Sequence, residues 1–103
     1  MRAPYFSIIT VTKNNFEGLK QTAFSIDAQR HEEWSDFEWI VIDGNSEDGT
    51  QDFLKKTKAL WFSQPDHGLY DAMNKGLDRA NGIYVLFMNA GDIFADNNTL
   101  EVI

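Results

Sequence analysis

No cysteine occurs in the 103 residues. That excludes a disulfide framework, a thiolate nucleophile and a cysteine-ligated metal, and it fits a cytosolic protein. No apolar run approaches the roughly 18 residues of a membrane-spanning helix, and Met1 to Tyr5 is too short and too polar for a signal peptide. Two phosphate-binding signatures are missing: no G-x-G-x-x-G follows the first apolar run, and no G-x-x-x-x-G-K-[ST] occurs. A dinucleotide-dependent dehydrogenase and a P-loop nucleotidase are both disfavoured. Basic residues are outnumbered, 9 Lys and Arg against 16 Asp and Glu, for a net charge of −7. That balance disfavours nucleic acid and anionic lipid as partners. It leaves room for a phosphorylated ligand, because a carboxylate-rich site can hold a divalent cation that neutralises the phosphate. No repeat, low-complexity tract or interdomain linker is visible, so one domain over residues 1–103 is expected.

What is present alternates. Phe6 to Thr12 reads FSIITVT, an apolar, β-branched run suited to a buried strand. Phe16, Leu19, Ala23 and Ile26 recur at helical spacing. His31 to Phe37 reads as a loop, and Glu38 to Asp43 (EWIVID) as a strand covered on both faces. Gly44 to Gly49 is a turn. Asp48 or Ser46 caps a helix with Asp52 early and Lys55, Lys56 and Lys58 late, as the helix dipole favours. Ala59 to Gln64 is a third strand. Leu69, Met73, Leu77 and Ala80 mark a third helix whose apolar residues read as core, stopped at Asn81-Gly82. Ile83 to Met88 is a fourth strand, and Ala95 to Ile103 begins a further helix. The order βαβαβαβ implies an α/β fold with a parallel sheet and right-handed crossovers.

Ligands of such sheets bind beyond the carboxyl ends of the strands. Polar residues collect at all four: Thr12 with Asn14 and Asn15, Asp43, Gln64 to Asp66, and Asn89 to Asp92. Asp43 can accept from a ribose or a base N–H, or can serve as a turn aspartate bonding its own backbone. Asp48-Gly49-Thr50 reads as a cap and tight turn. His67 and His31 read as loop histidines, and Asp71, Asn74 and Lys75 as a solvated helix face. Asp92, beside Gly91 at a strand exit, suits Mg²⁺ or Mn²⁺, which take oxygen ligands from protein, water and diphosphate.

The segments SIITVTKNN, SIDAQ, WIVIDGNSEDGT and SQPDHGLYDAMNKGLDRANGIYVLFMNAGD, in this order, resemble family-2 glycosyltransferases of the GT-A fold, with bacterial polysaccharide-assembly enzymes of the colanic acid type as the nearest subgroup. The third is similar to the family's "V-D-D-G-S-x-D-G-T" and the last leads into its "D-x-D" element. The resemblance implies a Rossmann-like three-layer sandwich with a mostly parallel sheet, truncated here to the nucleotide-sugar-binding part. By it, Thr12, Asn14, Asp43, Asp66 and Asn74 are nucleotide-binding positions, with Asn74 and Gly76 in an "A-R-N-x-G" segment whose arginine is replaced by Met73. Asp92 ligates Mg²⁺ or Mn²⁺. Gly44 replaces the second aspartate of "D-D-G-S", and Asn89 and Gly91 stand where "D-S-D-D" carries acids.

The implied activity is inverting transfer of a sugar from a nucleotide-diphosphate sugar to a glycan or lipid-linked acceptor in polysaccharide biosynthesis, in the cytoplasm or at the inner face of the membrane. The family's base and acceptor site follow the metal motif, so no catalytic residue is assigned, and a binding fragment without turnover is expected. A non-catalytic α/β binding module is the alternative. A receiver-like signalling domain would need acids after the first strand, where Thr12-Lys13-Asn14 stand. Apolar surface near Phe87, Phe94 and Ile103, left open by the missing half, implies a symmetric homodimer. Sedimentation velocity at tens of micromolar should show a dimer; a clean monomer with no dye-binding apolar surface refutes it.

Overall fold

The computed structural model describes residues 4–29, 37–65 and 67–94. Its elements are β1 (Phe6–Thr12), α1 (Phe16–Asp27), β2 (Phe37–Asp43), α2 (Thr50–Leu54), β3 (Leu60–Ser63), α3 (Leu69–Arg79) and β4 (Tyr84–Phe87). The expected βαβαβαβ order holds. The strands form one four-stranded sheet in the order β3-β2-β1-β4, with every pairing parallel. β1 and β2 are central and apolar nearly throughout, as strands covered on both faces must be.

Alternation along the central strands sorts two cores. Phe6, Ile8, Trp39 and Val41 meet Leu19, Ala23 and Ile26 of α1 and Leu54 of α2 on one face. Ile9, Ile40 and Ile42 meet Ala72 of α3 on the other. Each fully buried Ile or Leu contributes about 1.5–3 kcal/mol by leaving water. The buried indole N–H of Trp39 donates to Thr10 Oγ1 at 2.9 Å, so the polar edge of the ring enters the core satisfied.

Four expectations need correction. Phe37, read as loop, begins β2, because it pairs with Phe6 in the ladder. α2 is a single short helix ending at Leu54, so Lys55, Lys56 and Lys58 lie at or beyond its end. The face of α3 turned to the sheet carries Ala72 and Gly76, while Leu69 and Leu77 are 50% and 43% exposed. Small residues win that face because the helix sits too close to the sheet for larger ones: a Cβ on Gly76 would lie 2.5 Å from Ile9 Cγ2. Finally, α3 ends at Ala80 in an extended conformation, and Gly82 serves close approach instead of a helix stop. A Cβ there would fall 2.6 Å from the Ser7 backbone nitrogen. The α3–β4 turn is pinned to the sheet by Glu38, whose carboxylate accepts from the Ser7 hydroxyl and the Asn81 N–H, while Ser7 Oγ accepts from the Gly82 N–H. The helix expected over Ala95 to Ile103 lies outside the described residues.

Gly76→Ala should therefore overpack the α3–sheet contact and cost about 1–3 kcal/mol. Urea unfolding of the variant against the parent measures it, and an unchanged midpoint would show that α3 can shift outward freely.

Candidate functional site

A parallel sheet delivers all its strand C-termini to one edge. From β1 the chain passes to β2 on one side and later returns to β4 on the other, so the crevice between the ends of β1 and β4 is the topological switch point. Thr12 lies beside Asp43 in the ladder, and Asp43 beside Ser63. Asp92, in the turn after β4, is on the same edge as Asp43, as the element order required.

Asp43 closes β2 and is wholly buried. Its carboxylate accepts from the Ser46 hydroxyl, from the Ser46 N–H at 3.1 Å and from the Ser63 hydroxyl at 2.7 Å. The turn role foreseen for this aspartate is thus realised, extended to the neighbouring strand. Ser46 Oγ in turn accepts the Asn14 N–H at 2.7 Å. The Asn14 side chain accepts the Glu47 N–H at 2.8 Å, with Asn14 held at a positive φ of 48°. Gln51 of α2 donates to Ser63 Oγ and to the Ser46 carbonyl. Asp48 reaches from the same turn to the first N–H of α1, that of Phe16, at 3.0 Å, and receives the Thr50 hydroxyl and N–H. It accepts the first N–H of both α1 and α2, while Asn15 and Gly49 stand at the N-cap positions.

The β4 turn is tied to α1. Asn15 caps α1 by accepting from Gly18 N–H and donates to the Ala90 carbonyl. The buried Thr22 hydroxyl donates to the Asp92 carbonyl at 2.7 Å and accepts the Gly91 N–H. Phe94 N–H donates to Ser25 Oγ. Asp92 itself is exposed, and one of its carboxylate oxygens accepts the Asn89 N–H at 2.9 Å. Two buried side-chain atoms among the described residues lack any partner, Thr12 Oγ1 and Asn89 Oδ1. They belong to the last residue of β1 and to the turn after β4. Ala90 N–H bonds the Val11 carbonyl and keeps these two segments adjacent. An unpaired buried polar atom costs about 1–3 kcal/mol, so both atoms sit at an energetic cost beside the switch point.

The third segment comes from α3. Asp71 accepts the His67 N–H and pairs with Lys75 at 3.0 Å, and Lys75 also reaches the Pro65 carbonyl. Asp71 and Lys75 thus hold the β3–α3 turn, a more specific task than a solvated face. Asn74 is exposed on α3, Met73 is half-buried beside it, and Asp66 lies outside the described residues. No group of three His, Cys, Asp or Glu side chains among the described residues is arranged to hold a metal.

The model of glycosyl transferase family 2 matches residues 7–103. The chain belongs to this family. Among its relatives are the uncharacterized glycosyltransferase Rv1514c of Mycobacterium tuberculosis, 41% identical over 90% of this chain and 36% of its own, and the PGL/p-HBAD biosynthesis glycosyltransferase of Mycobacterium bovis, 37% identical over 97% of this chain and 40% of its own. The family-2 chain thus spans well under half the length of these relatives. Among solved structures, TarS of S. aureus in complex with UDP superposes with a TM-score of 0.80 at 25% identity, over 95% of this chain and 30% of that one. The mannosyltransferase PcManGT of Pyrobaculum calidifontis, in complex with GDP-Man and Mn²⁺, superposes with a TM-score of 0.84 at 23% identity, over 97% of this chain and 31% of that one. The α/β GT-A fold expected from the sequence is the one observed.

Ser63, Gln51 and Thr22 escaped the sequence reading of this family-2 domain, and Ser46 was read only as a helix cap. Ser63 becomes visible only when the β2–β3 register sets it beside Asp43. The Thr50 hydroxyl, aided by the Phe16 and Thr50 N–H groups, holds the Asp48 carboxyl below its ordinary value of 3.8. A depressed folded-state pKa gives stability that is present above the unfolded value and lost as pH falls through the folded one. Asp48→Asn should lower stability at pH 7 and show a shallower loss between pH 5 and 2 than the parent; parallel urea titrations across that range with identical slopes would disprove the cap.

Proposed function

We propose that this chain is the nucleotide-sugar-binding portion of an inverting glycosyltransferase that passes a sugar from a nucleotide-diphosphate donor to a glycan or lipid-linked acceptor during cell-surface polysaccharide biosynthesis. The observation that carries the reading is the gathering of polar residues from the β1 and β4 ends, Asn14, Asn89 and the exposed Asp92 among them, at the switch point of a parallel sheet in a family-2 domain. The nucleoside would lie against the β1 and β2 turns, beside Thr12, Asn14 and the turn that Asp43 closes, with Asn74 of α3 a further contact. TarS in complex with UDP and PcManGT in complex with GDP-Man share this fold, which supports a nucleotide as the ligand.

The donor set at Asp92 fits a hard divalent cation, Mg²⁺ or Mn²⁺: an exposed carboxylate in a turn braced by Thr22, with the remaining ligands drawn from diphosphate and water. The Mn²⁺ in the PcManGT complex supports it. When bound, such a cation neutralises charge on the departing diphosphate. This chain's own contribution is to hold and orient: Asn15 and Thr22 fix the Asp92 turn against α1, and the Asp43 network fixes the nucleoside turns. The acceptor and the base that deprotonates it belong to sequence beyond the metal turn. No helix among the described residues is long and apolar enough to cross a membrane. A lipid-linked acceptor would place the enzyme in the cytoplasm, at the inner membrane face. Tyr84 and Phe87 of β4, an edge strand among the described residues, are 52% and 40% exposed, and Ile83 just before it is 70% exposed, which supports a homodimer through that edge. Phe94 packs instead against the core, and Ile103 lies outside the described residues.

Calorimetric titration with UDP, GDP, CDP and dTDP, with and without Mn²⁺, should show metal-dependent binding of at least one, and Asp92→Ala should remove the metal dependence. Flat heats for every nucleotide at millimolar concentration would favour a non-catalytic α/β interaction module.

A further inference from the structure

A carboxylate that contacts a ligand needs an open oxygen. Asp43 has none: the residue is 0% exposed, and its oxygens receive the Ser46 hydroxyl, the Ser46 N–H and the Ser63 hydroxyl. The donors come from two segments, the turn after β2 and the end of β3. A third is added through Ser46 Oγ, which accepts the Asn14 N–H from the turn after β1. α2 joins through Gln51, which grips Ser63 Oγ at 2.9 Å and the Ser46 carbonyl at 3.3 Å. The backbone repeats the arrangement, since Gly44 N–H bonds the Thr12 carbonyl and Gln64 N–H bonds the Asp43 carbonyl. Every strand-end turn on the β3 side of the switch point is therefore referenced to one buried carboxylate. Asn14 sits at φ 48°, a left-handed conformation that asparagine tolerates better than most residues, and the bonds from Ser46 and to Glu47 hold it there.

We infer that Asp43 is a positioning residue: it acts on a nucleoside diphosphate without touching it, by using Ser46 and Ser63 to fix the relative placement of the β1, β2 and β3 turns. The inference rests on the nucleotide-site reading above and differs from it in the part given to Asp43. A carboxylate in direct contact with the nucleoside would select among bases, and stripping away the hydroxyls that cover it would leave affinity unchanged or raise it. A carboxylate that positions turns has the opposite signature. Removing either covering hydroxyl weakens binding, the loss is the same for every base, and the losses do not add, since the residues form one network.

The experiment measures binding of UDP, GDP, CDP and dTDP with Mn²⁺ to the parent protein and to Ser46→Ala, Ser63→Ala, the double variant, Ser46→Thr and Asp43→Asn. Amide hydrogen exchange at Asn14 and Glu47 is followed in the same samples. Ser46→Ala and Ser63→Ala should each weaken the bound nucleotides tenfold or more while preserving their order of preference. The double variant should lose less than the product of the two, and Ser46→Thr, which keeps the hydroxyl, should stay within about threefold of the parent. Exchange at Asn14 and Glu47 should accelerate in Ser46→Ala. Ser63→Ala, on an edge strand, keeps the test open should Asp43→Asn fail to fold. If the parent binds and both serine variants bind as tightly, or if Asp43→Asn reorders the base preference, the inference is overturned and the nucleotide site stands. If the parent binds no nucleoside diphosphate at all, the nucleotide-site reading falls and this inference with it.

Discussion

A buried carboxylate is tolerated only when its oxygens are supplied with donors, and the upper edge of this sheet is organised around meeting that demand at Asp43. Ser46 bends the β2 turn back to meet it, Ser63 ends β3 beside it, and Asn14 is drawn in through Ser46. Each contact also decides where a turn lies. The requirement that no buried acceptor go unserved thus becomes a geometric specification for one side of the crevice, with water excluded and the hydrogen bonds correspondingly strengthened.

The other side of the crevice is built differently. The β4 turn has few buried groups, and α1 steadies it through a cap residue, Asn15, and one buried threonine, Thr22. Asp92 is left outward with a backbone N–H on one oxygen. One edge of the sheet thus carries a rigid, saturated carboxylate and an exposed, lightly engaged one. The first holds protein segments together, and the second is the one the proposed cation would meet. Between them lie the unpartnered oxygens of Thr12 and Asn89, which the protein leaves unsatisfied at an energetic cost comparable to a hydrogen bond.

Membership of glycosyl transferase family 2 agrees with this division. Acids common in the related motifs are replaced here by Gly44, Asn89 and Gly91, and two of the acids present are engaged within the protein: Asp48 accepts the first N–H of α1 and of α2, and Asp71 anchors the β3–α3 turn. The layers beneath obey the same economy of space. α3 lies so close to the sheet that small residues, Ala72 and Gly76, occupy its buried face.

Periodicity and β-branching in the chain were sufficient to determine the element order, the parallel sheet and the edge on which Asp43 and Asp92 sit, because these follow from local propensity and from the handedness of crossovers. The family motifs were legible for the same reason, being contiguous. The β1 and β2 ladder partners, the buried face of α3 and the fate of each carboxylate were not. Leu69, Met73 and Leu77 have the right spacing for a core stripe, yet the helix–sheet distance selected the small residues beside them. Asp43 read equally well as a ligand contact or as a turn residue, and only the register that sets Ser63 beside it, a relation between residues distant in the chain, settled that its oxygens are filled from within the protein. Local sequence fixes which groups reach the edge of a sheet. Which of them remain free to meet a ligand depends on donors brought from other segments, and that is decided by packing.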